Sequence, residues 1–455
     1  MVVNVAGAGA GKTTKMADII MGHDIPDGKV AFCIAFTNAA ADNIKEKVER
    51  KLNGVPNNIK ISTIHSFLYH ELIEPYYYFL YGQQFSHLST IKLPDLNRYK
   101  AAKLSELERA DILHITKIPE KAKWVAYQKS GDTKKIKSIR ERILARFNDY
   151  CSAIYVDEAQ DINKDIYDVL FSLENAGVEI VLYGDPKQDV KGYGCFRRII
   201  DESSDVHYYS DCYRCPQAHL DLSNELAPPN EKQVASVKNA VGSLSIAFES
   251  DIENLKEYME SANYDLCYIS QKKGRFCTHG IGATGARFET LHNEVFCAME
   301  EKWRGEKTEI EIKRAAFFVT EKILNGYDQA GDAKAQISYW VNKGAFNLLN
   351  SRKYAQMVSA VSTEKSETTD VVVSSIEIIK GLEAKRCLFI LSSDLAPYLF
   401  KIKTDDNKMS HLLYVALTRS TDHLTILIPQ DVEASFTRTF ILTFFERYSV
   451  SLYTP

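Results

Sequence analysis

The chain has 455 residues, 45% hydrophobic and 25% charged, with 56 Lys+Arg against 60 Asp+Glu for a formal net charge of −4. At roughly 150 residues per domain the length suggests about three folded units, and the composition excludes a disordered, collagenous or low-complexity protein. The near-neutral balance excludes a global positive field, so DNA would have to be met by a local patch.

Nine scattered cysteines form no compact disulfide framework and point to a reducing, cytoplasmic setting. No apolar run approaches the roughly eighteen residues that span a bilayer, so no membrane partner is expected. The stretch Val2–Ala8 has no basic leader and is too short for a signal region; it reads as the first strand. Strand-like runs follow at 31–36, 59–62, 153–156 and 178–183, then at 244–248, 264–269, 371–376, 386–392 and 423–428, with amphipathic helical stretches after most of the first set. Such alternation predicts α/β units with parallel sheets covered on both faces. Residues 70–150 and about 285–360 break the rhythm and read as helical insertions, and the polar segment 362–370 reads as a linker. Between residues 117 and 146 ten Lys/Arg stand against three acids, either a solvated helix face or a contact for a phosphate backbone.

The chemistry-bearing motifs begin at Ala6-Gly7-Ala8-Gly9-Ala10-Gly11-Lys12-Thr13-Thr14, after a strand and opening a helix. Small residues there let backbone N–H groups close around phosphates; Lys12 reaches the β- and γ-phosphates, and Thr13 offers a hydroxyl to Mg²⁺. Downstream, the buried run Ala153–Val156 ends in Asp157-Glu158-Ala159-Gln160-Asp161, where Asp157 can hold Mg²⁺ and Glu158 can activate a water. Cys212-Tyr213-Arg214-Cys215 with His219 invites a zinc reading, but the second ligand pair is missing.

Together these motifs resemble the superfamily 1 helicases of the UvrD/Rep type. The resemblance continues through Ala35–Ala41 and Ser62–Phe67, which look like that family's single-strand contacts and imply DNA-binding roles for Thr37, Asn38, Thr63 and His65; His65 also has the plainer reading of a satisfied loop histidine. It continues through Gly184-Asp185-Pro186-Lys187-Gln188, whose Gln188 would sense the γ-phosphate, and through Tyr213-Arg214, whose Tyr stacks on the base while Arg reaches the γ-phosphate. Lys380-Gly381-Leu382-Glu383 implies a ribose contact for Glu383, and Tyr414-Val415-Ala416-Leu417-Thr418-Arg419 a second γ-phosphate contact for Arg419. The resemblance implies two RecA-like parallel-sheet domains of the P-loop NTPase type with helical insertions. Their bounds would be 1–69 plus 151–225 for the first domain, 70–150 for its insertion, 226–284 plus 359–455 for the second, and 285–358 for a reduced second insertion. It further implies ATP or another NTP with Mg²⁺, and DNA, single-stranded or with duplex ends, as partner.

Several positions depart from the family. The chain begins at the strand, without the Gln-bearing adenine segment, which leaves base selectivity open. Lys191 replaces a stacking aromatic and only Tyr193 remains of that track, while Glu377 stands where a His is usual. The size and reduced insertion also resemble the helicase-like B subunits of the Gabija anti-phage system, which implies a nuclease partner. A stand-alone repair helicase and a nucleotide-dependent DNA-end-binding module without unwinding are the alternative readings.

Overall fold

The computed structural model describes residues 1–452 except 53, 92, 95–96, 237–241, 272–275, 278–281, 304, 348–350, 363–370 and 449. The linker read at 362–370 lies, beyond its first residue, outside the described residues. The chain divides into two compact units, Met1–Asp251 with Lys380–Pro455, and Ile252–Ile379.

In the first unit a six-stranded sheet is built from β1 (Val2–Ala6), β2 (Val30–Ala35), β3 (Ile59–Thr63), β4 (Cys151–Val156), β5 (Glu179–Gly184) and β6 (Asp205–Tyr209). Their order is β3-β2-β4-β5-β1-β6, parallel throughout. The alternation of side chains along each strand explains why both faces are covered. Phe32, Ile34, Ile154, Val156, Ile180 and Leu182 enter one core with Val169, Leu170 and Leu173 of the helix Lys164–Asn175. Ala31, Cys33, Ala153, Tyr155, Val181 and Tyr183 enter the other, against Met16, Ala17 and Ile20 of α1 (Lys12–Gly22) and Ile44 and Val48 of α2 (Asn38–Leu52). Edge strand β6 was not anticipated, because its DVHYY run is mostly solvent-facing and carries no buried apolar pattern.

A second parallel sheet in the same unit contains β7 (Ser243–Phe248), β8 (Ala384–Ile390), β9 (Ser420–Ile428) and β10 (Ser451–Leu452), with β9 between β8 and β7 and β10 at the edge. The helix Lys408–Leu417, capped by the Asn407 side chain, leads into β9 and is buried along its length from Ser410. The fold is therefore α/β, with two RecA-like parallel sheets and helical insertions. The insertion after β3 contains helices at Asn97–Arg109, Ile118–Ala126 and Lys134–Tyr150, plus an unanticipated short parallel pair, His87–Ser89 with Ile112–His114.

The second unit has its own core, in which Leu291, Val295, Ile312, Val319, Ile323 and Ile337 pack together from the helices Gly282–Trp303, Glu309–Ala330 and Ala333–Asn342. It also contains the parallel pair Leu266–Ile269 with Ser374–Ser375. Among the described residues no helix is long and apolar enough to cross a membrane.

Candidate functional site

The site begins where β1 ends. Gly9 and Gly11 adopt φ of 69° and 73°, in the left-handed region that glycine tolerates without steric penalty. A Cβ on Gly9 would lie 2.4 Å from the Arg214 Cβ, so this glycine is also required by close approach. Gly11 caps α1 with no side-chain hydrogen bond, which leaves the first-turn N–H groups and the positive end of the helix facing the loop. Lys12 is 9% exposed, and its Nζ donates to the carbonyls of Ala6 (3.3 Å) and Gly7 (3.2 Å). These are weak neutral acceptors that a phosphate can replace. Thr14 accepts a hydrogen bond from Lys47 at 2.9 Å.

A buried ring of hydrogen bonds, not anticipated from the sequence, pins the loop at Ala8. Its N–H donates to Tyr414 Oη (3.2 Å), Tyr414 donates to Gln233 Oε1 (2.8 Å), and Gln233 Nε2 donates back to the Ala8 carbonyl (3.1 Å). Gln233 also packs against Gly7, where a Cβ would meet its amide at 2.1 Å. Tyr414→Phe leaves two buried polar groups unpaired and is expected to destabilise the chain by about 1–3 kcal/mol. Chemical denaturation checks this: an unchanged midpoint would mean the ring does not hold the loop.

The acids lie at the end of β4. The Thr13 hydroxyl donates to Asp157 Oδ2 at 2.8 Å, and the Glu158 N–H donates to Asp157 Oδ1 at 2.9 Å. Hard oxygen donors paired at this distance beside a phosphate loop fit Mg²⁺, which Thr13 and Asp157 would hold. Burial, with the neighbouring Glu158 charge adding to it, pushes the Asp157 carboxyl up to about 6. Glu158 sits at φ 57°, a left-handed conformation unusual for a non-glycine residue. Burial acts to raise its carboxyl, but the charges of Lys12 and Lys380 and a hydrogen bond from Gln160 outweigh it and hold Glu158 below the usual carboxylate range.

Because the folded Asp157 value lies above its ordinary 3.8, its protonated form favours the fold, and that stability is lost as pH rises through about 6. Without Mg²⁺, Asp157→Asn is therefore expected to be more stable than the parent at pH 7, by about 3 kcal/mol. The gap should shrink between about pH 6 and pH 4. Thermal melts across that range check the sign: a gap that widens on acidification would refute it.

The remaining residues expected at the nucleotide lie in segments that flank the two sheets. The Tyr213 N–H donates to Gly9 O at 2.9 Å, and its ring lies 3.8 Å from a Cβ built on Gly11; the side chain is 56% exposed, free to stack on a base. Arg214 Nε donates to Glu383 Oε2 at 2.5 Å, so two of the expected nucleotide contacts face each other beside the loop. Gln188 is buried and donates to Asp185 Oδ2 at 2.9 Å. Arg419 is fully buried, with Nε on Val415 O (2.9 Å) and Nη1 on Leu382 O (3.2 Å); a phosphate contact would require exchanging these bonds. Further ties between the sheets escaped the sequence reading. Lys380 donates to both oxygens of Asp161 at 2.8 and 2.9 Å, and His411 Nδ1 bonds Asp189 O at 2.9 Å. The only sequence signal for them was their position within or next to the motifs.

The residues expected to meet DNA lie on the rim. Thr37 caps α2, accepting from the Ala40 N–H at 3.1 Å, and both it and Asn38 are exposed. Thr63 caps the short helix that carries His65. Burial, then the Lys191 charge, lowers the His65 imidazole, which places His65 within electrostatic reach of Lys191. Lys191 in turn lies 5.8 Å over the Tyr193 ring. In the basic run, Lys117, Lys121, Lys123 and Arg140 are engaged in ion pairs, with Arg140–Asp132 buried. Lys134, Lys135, Lys137, Arg142 and Arg146 remain exposed on one helix.

Among the described residues no group of three His, Cys, Asp or Glu is arranged to hold a metal, so Cys212, Cys215 and His219 form no zinc site. Fold and loop together define a P-loop nucleotide-binding α/β protein. Residues 1–193 match the family model described as an AAA domain. No curated protein matches the chain. Among solved structures it is similar to the nonstructural protein 10 helicase of an arterivirus in complex with DNA, at 10% identity and a TM-score of 0.37, over 95% of this chain and 62% of that one. The chain thus spans less than two thirds of that neighbour's length.

Proposed function

We propose that the chain is an NTP-hydrolysing DNA motor of the UvrD/Rep type. The observation that carries this reading is the assembly around one phosphate loop of Lys12, the Thr13–Asp157 pair, Glu158 and the Arg214–Glu383 pair. A triphosphate entering the loop draws Lys12 away from the Ala6 and Gly7 carbonyls. Thr13 and Asp157 would hold Mg²⁺, which would supply charge neutralisation on the phosphate oxygens. Glu158, ionised at neutral pH, orients the attacking water and takes its proton. Arg214 exchanges Glu383 for the terminal phosphate, whose equatorial oxygens carry the transition-state charge. Breaking and remaking Arg214–Glu383, Lys380–Asp161 and the Ala8 ring couples hydrolysis to movement of the second sheet against the first, and that movement steps the chain along a strand.

The substrate is DNA, met by the rim residues Thr37, Asn38, Thr63, His65 and Tyr193 and the exposed lysines of the 134–150 helix. In this reading translocation runs 3′ to 5′, in anti-phage defence with a nuclease partner as in Gabija-type systems; a stand-alone repair helicase is the alternative. Lys191, within electrostatic reach of His65 and 5.8 Å from the Tyr193 ring, favours one further reading, a clamp at DNA ends that hydrolyses without unwinding. NTP turnover measured without DNA, with single strands and with blunt or tailed duplexes, beside strand displacement, tests the motor against the clamp, and co-purification with a nuclease separates the defence reading from the stand-alone repair helicase. Stimulation with displacement supports the motor, stimulation without it supports the clamp, and no turnover under any condition refutes both.

A further inference from the structure

We propose that Cys212 and Cys215 are an oxidative modification site, a dithiol whose closure to a disulfide disengages Tyr213 and Arg214 from the phosphate loop and shuts the nucleotide site. The inference rests on the proposed function only for the consequence of closure, since the pair itself is read from its own geometry.

The spacing brings the two sulfurs together over a two-residue turn. The Cys215 N–H donates to Cys212 Sγ at 3.3 Å, and among the described residues no disulfide is formed. Both are buried, at 0% and 1% exposure. Cys212 Sγ also lies 3.2 Å from the Ala8 carbonyl, to which the protonated thiol donates, and Cys215 Sγ lies 3.5 Å from Thr418 O. The two sulfurs therefore touch the centre of the phosphate loop on one side and the end of the Lys408–Leu417 helix on the other. Their chemistry is asymmetric. The hydrogen bond from Cys215, against burial and with help from the N–H groups of Cys215 and Arg214, brings the Cys212 thiol down to about 6, while Cys215 is raised. The Ala8 carbonyl favours the thiol and the N–H groups favour the thiolate. A low-pKa member beside a protonated one suits dithiol exchange, and because both sulfurs are buried a small disulfide reaches Cys212 through local opening of the turn that carries the exposed Tyr213.

A low-molecular-weight disulfide supplies the oxidant. The Cys212 thiolate attacks one of its sulfurs and expels a thiolate, giving a mixed disulfide. Cys215 then gives up its proton and attacks Cys212 Sγ, expelling the second thiolate. Two protein thiols are oxidised, one small disulfide is reduced to two thiols, and both protons end on the released thiols. Closure brings the sulfurs to about 2.05 Å and removes the hydrogen bond from Cys212 to Ala8. The intervening residues cannot absorb this silently, because the Tyr213 N–H is bonded to Gly9 O and Arg214 Cβ presses on Gly9.

The test treats the full reduced chain with oxidised glutathione, maps the cysteine peptides by mass spectrometry, and measures binding of a fluorescent ATP analogue. Expected are loss of two hydrogens from the 212–215 peptide, at least tenfold weaker nucleotide binding, and recovery with dithiothreitol. Cys215→Ser should accumulate a glutathione adduct on Cys212, and Cys212→Ser should bind nucleotide equally under both conditions. A 212–215 peptide that stays a dithiol while the exposed Cys297 is modified overturns the proposal, as does a disulfide that leaves nucleotide binding unchanged. Disulfide and binding are read independently of turnover, so absence of hydrolysis in the reduced chain would count against the motor and not against this site.

Discussion

Replacing Lys12 by Ala is expected to lower NTP turnover about a thousandfold or more while the chain still melts cooperatively. The amine is held inside the loop with its Nζ on Ala6 O and Gly7 O, and its charge reaches three acids, Asp157, Glu158 and Asp185. Those acids keep other support, since Asp185 pairs with Lys187 at 2.8 Å and Lys380 acts on Glu158, so truncation removes phosphate affinity before it removes the fold. Steady-state hydrolysis and a thermal melt on the same preparation separate the two effects. Turnover equal to the parent would defeat the assignment of this loop as the nucleotide site.

Glu158→Gln should reduce turnover by about a hundredfold to ten-thousandfold and leave nucleotide binding close to the parent. The amide keeps the shape of the side chain at φ 57° but cannot take the proton of the attacking water. Nucleotide affinity depends instead on Lys12, the loop N–H groups and the Thr13–Asp157 pair, whose hydrogen bonds the substitution leaves in place. The variant should therefore bind nucleotide without consuming it, so that kcat falls with little change in dissociation constant. Unchanged kcat would transfer the base to another group, and a loss of binding alone would make Glu158 a structural acid.

Opposite kinds of information lie behind the parts of this site that were legible in the sequence and the parts that were not. The phosphate loop and the acids after β4 are local: Gly9 and Gly11 must take positive φ within a few residues of Lys12, and Asp157 directly follows a buried strand. The same locality made most of the strands legible, because Phe32, Ile34, Ala31 and Cys33 alternate between two cores within one run. Strand β6 escaped because one edge strand needs no apolar alternation. Gln233 escaped because its partners are 225 and 181 residues away and its own neighbours are a polar turn.

Chain order and residue type by themselves determined the α/β class, the loop that can cradle a triphosphate, and the acids that can act on it. Only the tertiary structure decided that Arg214 faces Glu383, that Arg419 is turned onto Leu382 O and Val415 O, that Ala8 is held by Gln233 and Tyr414, and that Cys212 lies under the phosphate loop. The physical reason is range. Backbone dihedrals and burial periodicity act over a few residues and leave their mark in adjacent letters. Hydrogen bonds and ion pairs depend on which distant segments the packed sheets bring within about 3 Å, and no local pattern encodes that meeting.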